Sequence, residues 1–215
     1  MKICVAMTMS KKAYLAKVLL TVAVMLLAAC SKTAQLPLLS SDAVVLAFGD
    51  SLTAGTGAAE AESYPAVLSV LTGLRVINAG VPGEVSSSGL RRLPELLDLE
   101  HPTLLILCHG GNDLLGHADH QLIADNLRNM IRLAMERRIP VLLIAVPSPG
   151  LSLKPPPLYE DLAKEFKIPI EAKALSHILS KGTLKSDYIH PNAAGYRMLA
   201  EALVDLLKKS GALPP

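Results

Sequence analysis

The chain has 215 residues, and its 21 lysine and arginine residues against 19 aspartate and glutamate residues give a net charge of +2. Four of the lysines fall in the first 29 residues, so the remainder has 17 basic against 19 acidic residues and a net charge of −2. So weak a charge is not that of a nucleic-acid-binding protein. The length predicts one domain with its own core and requires no second domain.

The first 29 residues have the pattern of an export signal. Three lysines, Lys11, Lys12 and Lys17, precede an uncharged apolar stretch over 18–29. This stretch is shorter than the roughly 20 apolar residues that span a bilayer, and it ends in small residues before Cys30. We expect cleavage before Cys30, lipidation of Cys30 and export, with the periplasmic side of the outer membrane favoured by Ser31. The alternatives are an ordinary signal peptide or an uncleaved anchor.

Residues 30–42 are predicted to be the lipidated cysteine followed by a tether. They show no hydrophobic periodicity and include Pro37, so we expect a spacer that holds the domain off the membrane. The domain itself is predicted over 43–211. Its one cysteine, Cys108, excludes an intramolecular disulfide, and its apolar neighbours predict a buried thiol.

Short apolar segments alternate with helical segments along the domain. Strands are predicted over 43–48, 75–79, 103–108, 141–146 and 168–171. Helices are predicted over 65–71, 88–99, 121–137, 159–166, 175–180 and 193–209. Strands separated by helices form parallel sheets, and right-handed crossovers place helices on both faces. The prediction is an α/β fold, a three-layer α/β/α sandwich around a five-stranded parallel sheet.

Polar and glycine residues follow the first three predicted strands, over 49–51, 78–84 and 110–113. Ligands of such sheets bind beyond the carboxyl ends of the strands, so these loops are expected on one edge. Ser51 follows the first strand, and Asp187 and His190 precede the final helix. A serine becomes a nucleophile when an imidazole takes its proton and a carboxylate orients that imidazole. These residues therefore predict a serine hydrolase.

Other interpretations of the same residues need no catalysis. Ser51 is also a suitable helix N-cap, Asp113 is a suitable N-cap for the helix after it, and Gly83 can be an ordinary turn glycine. Three residues that could suggest a metal, His117, Asp119 and His120, are interpreted as solvated surface, and no metal is expected. The proline-rich segment 147–157 follows the fourth strand. It is expected either to shape the substrate pocket or to be a surface loop without contact to substrate.

Four segments, 48–55, 78–83, 110–113 and 187–192, together resemble the motifs of the SGNH (GDSL) hydrolase family, and especially its small bacterial esterase and lysophospholipase branch. The resemblance covers 44–207 and implies a flavodoxin-like sheet. It implies that Ser51 is the nucleophile, His190 the general base and Asp187 the residue that orients His190. The implied oxyanion hole consists of the backbone N–H groups of Ser51 and Gly83 and the side chain of Asn112. We expect a glycine at position 83 because a side chain there could intrude on the oxyanion.

The resemblance implies hydrolysis of carboxylic esters or thioesters through an acyl-enzyme, by an arylesterase, thioesterase or lysophospholipase that needs no cofactor. The substrate is expected to be a small acyl ester or a lipid-like molecule. The chain has no Trp and two Phe, so a sugar-stacking surface is not expected. Two alternatives stay open: a deacetylase of O-acetylated cell-wall or exopolysaccharide sugars, and a non-enzymatic acyl-binding lipoprotein. We expect a monomer that contacts the membrane through its N-terminal lipid and binds no nucleic acid.

Overall fold

A computed structural model describes residues 34–150 and 152–215. The predicted signal peptide over 1–29 and the predicted lipid site at Cys30 lie outside these residues. Within the described part of the chain, no helix combines the length and the apolar character that crossing a bilayer requires.

The sheet has five parallel strands in the order β2-β1-β3-β4-β5 among the described residues. The strands are β1 (Val44–Gly49), β2 (Arg75–Gly80), β3 (Leu104–Cys108), β4 (Val141–Ile144) and β5 (Ile170–Glu171). This order is that of flavodoxin-like sheets. It confirms the predicted fold class and strand positions, although β4 and β5 are shorter than predicted.

Helices connect the strands. They are α1 (Ser51–Ala54), α2 (Tyr64–Thr72), α3 (Ser86–Glu100), α4 (Gly111–Leu115), α5 (His120–Glu136), α6 (Pro157–Phe166), α7 (Ala174–Ser180) and α8 (Ala193–Lys209). Two 3₁₀ turns lie at Glu60–Glu62 and Gly182–Leu184. Helices α2 and α7 pack against α8, whereas α3 and α6 pack against α5. These two groups are the outer layers of the predicted sandwich.

The core is formed by the central strands. Every residue of β3 and β4 is buried, as expected of parallel strands that are covered by helices on both faces. Cys108 ends β3, is fully buried and forms no disulfide. Burial raises the pKa of the Cys108 thiol well above its usual range, which makes it a poor nucleophile. The prediction of a buried core cysteine is confirmed.

The predicted tether over 30–42 requires a correction, because its second half belongs to the folded domain. The N–H of Leu36 donates to the Ser210 carbonyl at 2.8 Å, and the N–H of Leu39 donates to the Ala212 carbonyl at 2.9 Å. Ala212 is fully buried. The domain therefore begins before residue 43 and continues past residue 211, since its two ends are hydrogen-bonded to each other.

Asp113 is not the N-cap of the helix that follows it. It lies inside α4, where its carboxylate accepts hydrogen bonds from the backbone N–H and the hydroxyl of Ser86, both at 2.7 Å. Asn126 donates to the same hydroxyl at 2.9 Å. Ser86 is the first residue of α3, and the N-cap residue Val85 provides no side-chain acceptor. Asp113 therefore caps α3 from another element and fixes α4 against it.

Replacing Asp113 with alanine is expected to lower the free energy of unfolding by about 3 kcal/mol, because it leaves two buried donors of Ser86 without an acceptor. Urea denaturation measures the loss. Asp119→Ala is the control, because Asp119 caps α5 through the Gln121 N–H in an exposed position, and its loss is expected to cost about 1 kcal/mol. Equal losses in the two variants would contradict the buried capping role of Asp113.

Candidate active site

The register of the sheet brings three loops to one edge. Gly49, the last residue of β1, pairs with Gly80 of β2 and with Cys108 of β3. The loops that follow these strands therefore start side by side. A Cβ at Gly49 would overlap the Cys108 carbonyl oxygen, and one at Gly80 would overlap the backbone of Ala54. Glycine at both positions lets α1 pack directly on the strand ends.

Ser51 is the first residue of α1, and Asp50 is the N-cap. The Oδ1 atom of Asp50 accepts the Leu52 N–H at 3.0 Å. Ser51 therefore has no capping role, and its hydroxyl is directed into a cavity at the edge of the sheet. Burial raises the pKa of the Asp50 carboxyl, although nearby His109 and His190 act against this rise.

At this edge Ser51 meets two side chains, Asp187 and His190, that lie far from it in the sequence. Nε2 of His190 lies 3.0 Å from Oγ of Ser51, and Nδ1 of His190 lies 2.8 Å from Oδ2 of Asp187. Oδ1 of Asp187 accepts the N–H groups of Ile189 and His190, both at 2.8 Å. These bonds hold the carboxylate against the loop that carries the imidazole.

The charge on Asp187 determines which nitrogen of His190 carries the proton. Burial alone would raise the pKa of Asp187, but hydrogen bonds from the His190 ring and from two backbone N–H groups outweigh it, and the pKa lies below its usual range. An ionised carboxylate can only accept hydrogen bonds, so Nδ1 of His190 carries the hydrogen. Nε2 is then free to accept the Ser51 hydroxyl proton.

The predicted oxyanion donors differ in where the structure places them. Ser51 and Asn112 line the same cavity. One hydrogen of the Asn112 amide donates to the Glu84 carbonyl at 2.9 Å, which leaves the other for a ligand. Gly83 is exposed in the loop after β2 and is not among the residues that line the cavity.

The reason for a glycine at position 83 differs from the one expected. A Cβ there would contact no atom within 4 Å, but φ is +77°, a conformation that favours glycine. The structure thus explains this glycine by the turn that it forms.

The cavity beside Ser51 has a volume of about 320 Å³ and a largely apolar wall. The proline-rich segment 147–157 contributes to this wall, so it is not a distant surface loop. The apolar side chains include Leu115, Val146, Pro147, Pro149, Leu153 and Leu179. A nucleophile, a base and an apolar cavity together can bind and cleave an acyl ester.

Residues 47–198 match the model of the GDSL-like Lipase/Acylhydrolase family. The chain belongs to this family. The family consists of hydrolases of the SGNH type, and the chain is a carboxylic ester hydrolase. The family match confirms the resemblance to the SGNH (GDSL) hydrolases that the sequence indicated.

Relatives of this GDSL-like hydrolase include proteins named as esterases. Esterase TesA of Pseudomonas aeruginosa is 30% identical over 203 residues, which cover 86% of this chain and 97% of that protein. The protein named thioesterase 1/protease 1/lysophospholipase L1 of Escherichia coli strain K12 is 29% identical over 176 residues. These residues cover 76% of this chain and 83% of that protein. The crystal structure of AlinE4, an SGNH-hydrolase family esterase, is 31% identical and superposes with a TM-score of 0.61, covering 80% of this chain and 98% of that one.

Glu84 joins the loop after β2 to Asn112 in the hydrolase. Its carboxylate accepts two hydrogen bonds from Arg92, at 2.6 and 2.9 Å, and its side chain is nearly buried. His109 is fully buried and accepts the Gly110 N–H at Nδ1, so its Nε2 donates to Glu84 at 3.2 Å. The Glu84 backbone carbonyl holds Asn112. His109 therefore belongs to a network behind the cavity.

Glu84→Gln is expected to destabilise the hydrolase by about 2 kcal/mol at neutral pH, because Arg92 loses its counter-ion. Burial raises the pKa of Glu84, but hydrogen bonds from Arg92 and His109 outweigh it and hold the pKa below its usual range. The carboxylate therefore contributes fully to the free energy of unfolding above the unfolded-state pKa of about 4.3. This contribution is lost as the pH falls through the lower folded-state pKa. The urea midpoints of the wild type and Glu84→Gln should converge in acid. A difference that stays constant down to the lowest pH would show that the ionised carboxylate is not its cause.

Two residues at the site have no signal in the sequence. Lys185 and Leu179 line the cavity, although neither lies in a motif, whereas Tyr188 lines it from within the segment 187–192. Tyr188 is 89% exposed, so one aromatic ring is available at the mouth despite the scarcity of aromatic residues. Among the described residues, no three His, Cys, Asp or Glu side chains form a group that could hold a metal ion. Asp119, from the cluster considered for a metal, caps α5 instead.

Proposed function

We propose that this hydrolase cleaves carboxylic esters or thioesters through an acyl-enzyme formed on Ser51. The observation that carries the proposal is the hydrogen-bonded chain from Ser51 through His190 to Asp187, with distances of 3.0 and 2.8 Å. A serine next to an imidazole that is oriented by a carboxylate is the arrangement that activates a hydroxyl for acyl transfer.

In the first step His190 takes the proton of Ser51 as Oγ attacks the acyl carbonyl carbon. The carbonyl oxygen gains a negative charge, and the free hydrogen of Asn112 and the backbone N–H of Ser51, both from residues that line the cavity, are proposed to stabilise it. The N–H of Gly83, which lies outside the cavity lining, is the third proposed donor. His190 then gives its proton to the leaving oxygen or sulfur, and the acyl-enzyme remains. Water, activated by His190, releases the acid and restores Ser51.

The apolar wall supports an acyl chain longer than acetate as substrate. Burial of each methylene contributes about 0.8 kcal/mol, which an open polar surface would not provide. The names of the relatives, which include esterase, thioesterase and lysophospholipase, agree with acyl substrates of this kind. We therefore place arylesterase, thioesterase or lysophospholipase activity ahead of deacetylation of sugars.

Hydrolysis of p-nitrophenyl esters from acetate to palmitate tests the proposal, with acetate release from an acetylated glycan measured alongside. We expect hydrolysis with an optimum beyond acetate, and fluorophosphonate labelling that peptide mass spectrometry locates at Ser51. Heat-denatured protein is the control for labelling. Acetate release from the glycan that exceeds all ester hydrolysis would indicate a deacetylase. A folded protein that stays unlabelled and inactive would indicate an acyl-binding lipoprotein.

Export and lipidation at Cys30 remain part of the proposal. Leu36 is hydrogen-bonded to the Ser210 carbonyl, so the proposed lipid site at Cys30 precedes a residue of the domain by a length of chain that cannot exceed about 20 Å. Incorporation of labelled palmitate into the expressed protein, and its loss in Cys30→Ala, tests this localisation. Equal labelling of both proteins would contradict it.

A further inference from the structure

Lys185 lines the cavity without a carboxylate partner. Its side chain is half-buried, and none of the acidic residues in the described part of the chain forms an ion pair with it. Its Nζ atom lies 5.9 Å from the centroid of the Tyr188 ring, at the outer limit of a cation–π contact. The ammonium group therefore stands at the mouth of the cavity with its hydrogen-bonding capacity unused.

The other charged groups at the cavity do not neutralise Lys185. Asp50 is buried at the start of α1, where its carboxylate caps the helix. The carboxylate of Asp187 accepts the His190 ring and two backbone N–H groups. Among the described residues that line the cavity, Lys185 is the only cation besides any charge on His190. The mouth therefore favours an anion.

The position of Lys185 in the chain indicates which part of the substrate it meets. Lys185 and Tyr188 belong to the loop that carries His190. His190 delivers its proton to the leaving oxygen, so the alcohol part of the ester must lie beside this loop. The apolar residues of the segment 147–157 and of α4 and α7 remain available for the acyl chain.

We propose that Lys185 binds an anionic group, a phosphate or a carboxylate, on the alcohol part of the ester. The substrates that fit are anionic amphiphiles, with an acyl chain in the cavity and a charged group at its mouth. The inference rests on the proposed function, because it assigns the alcohol side from the role of His190.

Matched substrate pairs test this subsite with the full chain in detergent. One pair is octanoyl glycerol and octanoyl glycerol 3-phosphate, and the other is 4-octanoyloxybenzamide and 4-octanoyloxybenzoate. Lys185→Gln is expected to lower kcat/KM for the phosphate ester by about tenfold, and to change that of its neutral partner by less than about twofold. The wild type should prefer the anionic ester of each pair to its neutral partner, and added salt should reduce this preference. Salt should leave the ratio of the two kcat/KM values unchanged in Lys185→Gln.

Two variants serve as controls. Lys208→Gln removes the same charge at the end of α8, outside the residues that line the cavity, and should keep the preference. Lys185→Arg should also keep it. A loss of kcat/KM in Lys185→Gln for both anionic substrates, or for the phosphate ester alone, supports the subsite. The benzoate pair shows whether Lys185 also binds a carboxylate. If Lys185→Gln loses kcat/KM equally for charged and neutral substrates, or loses none, the subsite is overturned. Failure of the wild type to cleave either neutral ester overturns the proposed function first.

Discussion

Replacing Ser51 with alanine is expected to lower kcat by about 10⁶-fold, because the proposed acyl-enzyme forms on the Ser51 hydroxyl. His190→Ala should cause a loss of the same size, and the double variant should be no worse, since the two residues act as one unit. Asp187→Asn is expected to lower kcat by about 10⁴-fold by favouring the wrong tautomer of His190. Initial rates on the best p-nitrophenyl ester give these values.

Ser69→Ala is the matched control for Ser51→Ala. The Ser69 hydroxyl contacts the Leu74 carbonyl at 2.6 Å and does not line the cavity, so its removal should leave kcat unchanged. Circular dichroism should show that all variants are folded. If Ser51→Ala kept more than about a hundredth of the activity, Ser51 could not be the nucleophile.

Replacing Asn112 with alanine is expected to lower kcat by about 10²- to 10³-fold with little change in KM, because the lost donor acts on a charge that forms only in the transition state. The variant also loses the hydrogen bond to the Glu84 carbonyl, so stability is measured with the kinetics. A rise in KM with unchanged kcat would show that Asn112 binds substrate and leaves the oxyanion to other donors.

Asn126→Ala separates the loss of a donor at the cavity from the loss of a buried amide. Asn126 donates to Ser86 at 2.9 Å and does not line the cavity. Its replacement should lower the urea midpoint and leave kcat within about twofold once the protein is folded. A similar fall in kcat for both variants would assign the effect of Asn112→Ala to a displaced α4.

Local sequence patterns predicted the strands that are continuous apolar segments and the helices long enough to show an apolar stripe, and they missed the short helices. The buried strands β1, β3 and β4 appear in the sequence as continuous apolar segments, and α8 carries an apolar stripe along its whole length. Helices α1 and α4 have 4 and 5 residues, so they are too short for a period to show. Strand β5 retains only two residues, because Pro169 directly before it has no N–H to donate to β4, although its carbonyl accepts the Leu143 N–H at 3.0 Å.

The errors arose where the decisive partner lies far along the chain. Leu36 and Leu39 looked like part of a tether because their partners are backbone carbonyls at positions 210 and 212. Asp113 looked like the cap of the helix after it, but it accepts from Ser86, which belongs to an earlier helix. Nothing in the neighbouring residues signals such pairings, since they depend on how the helices pack.

The sequence by itself determined the order along the chain of the five strands and the longer helices, the family motifs and the candidate residues Ser51, Asp187 and His190. Strand patterns and motif residues are local properties, so they can be recognised before the chain is folded. Only the tertiary structure decided that His190 lies 3.0 Å from Ser51, which residues form the apolar wall, and that Lys185 stands unpaired at the mouth. These features depend on distances between loops, and loops take their positions from the sheet on which they are mounted.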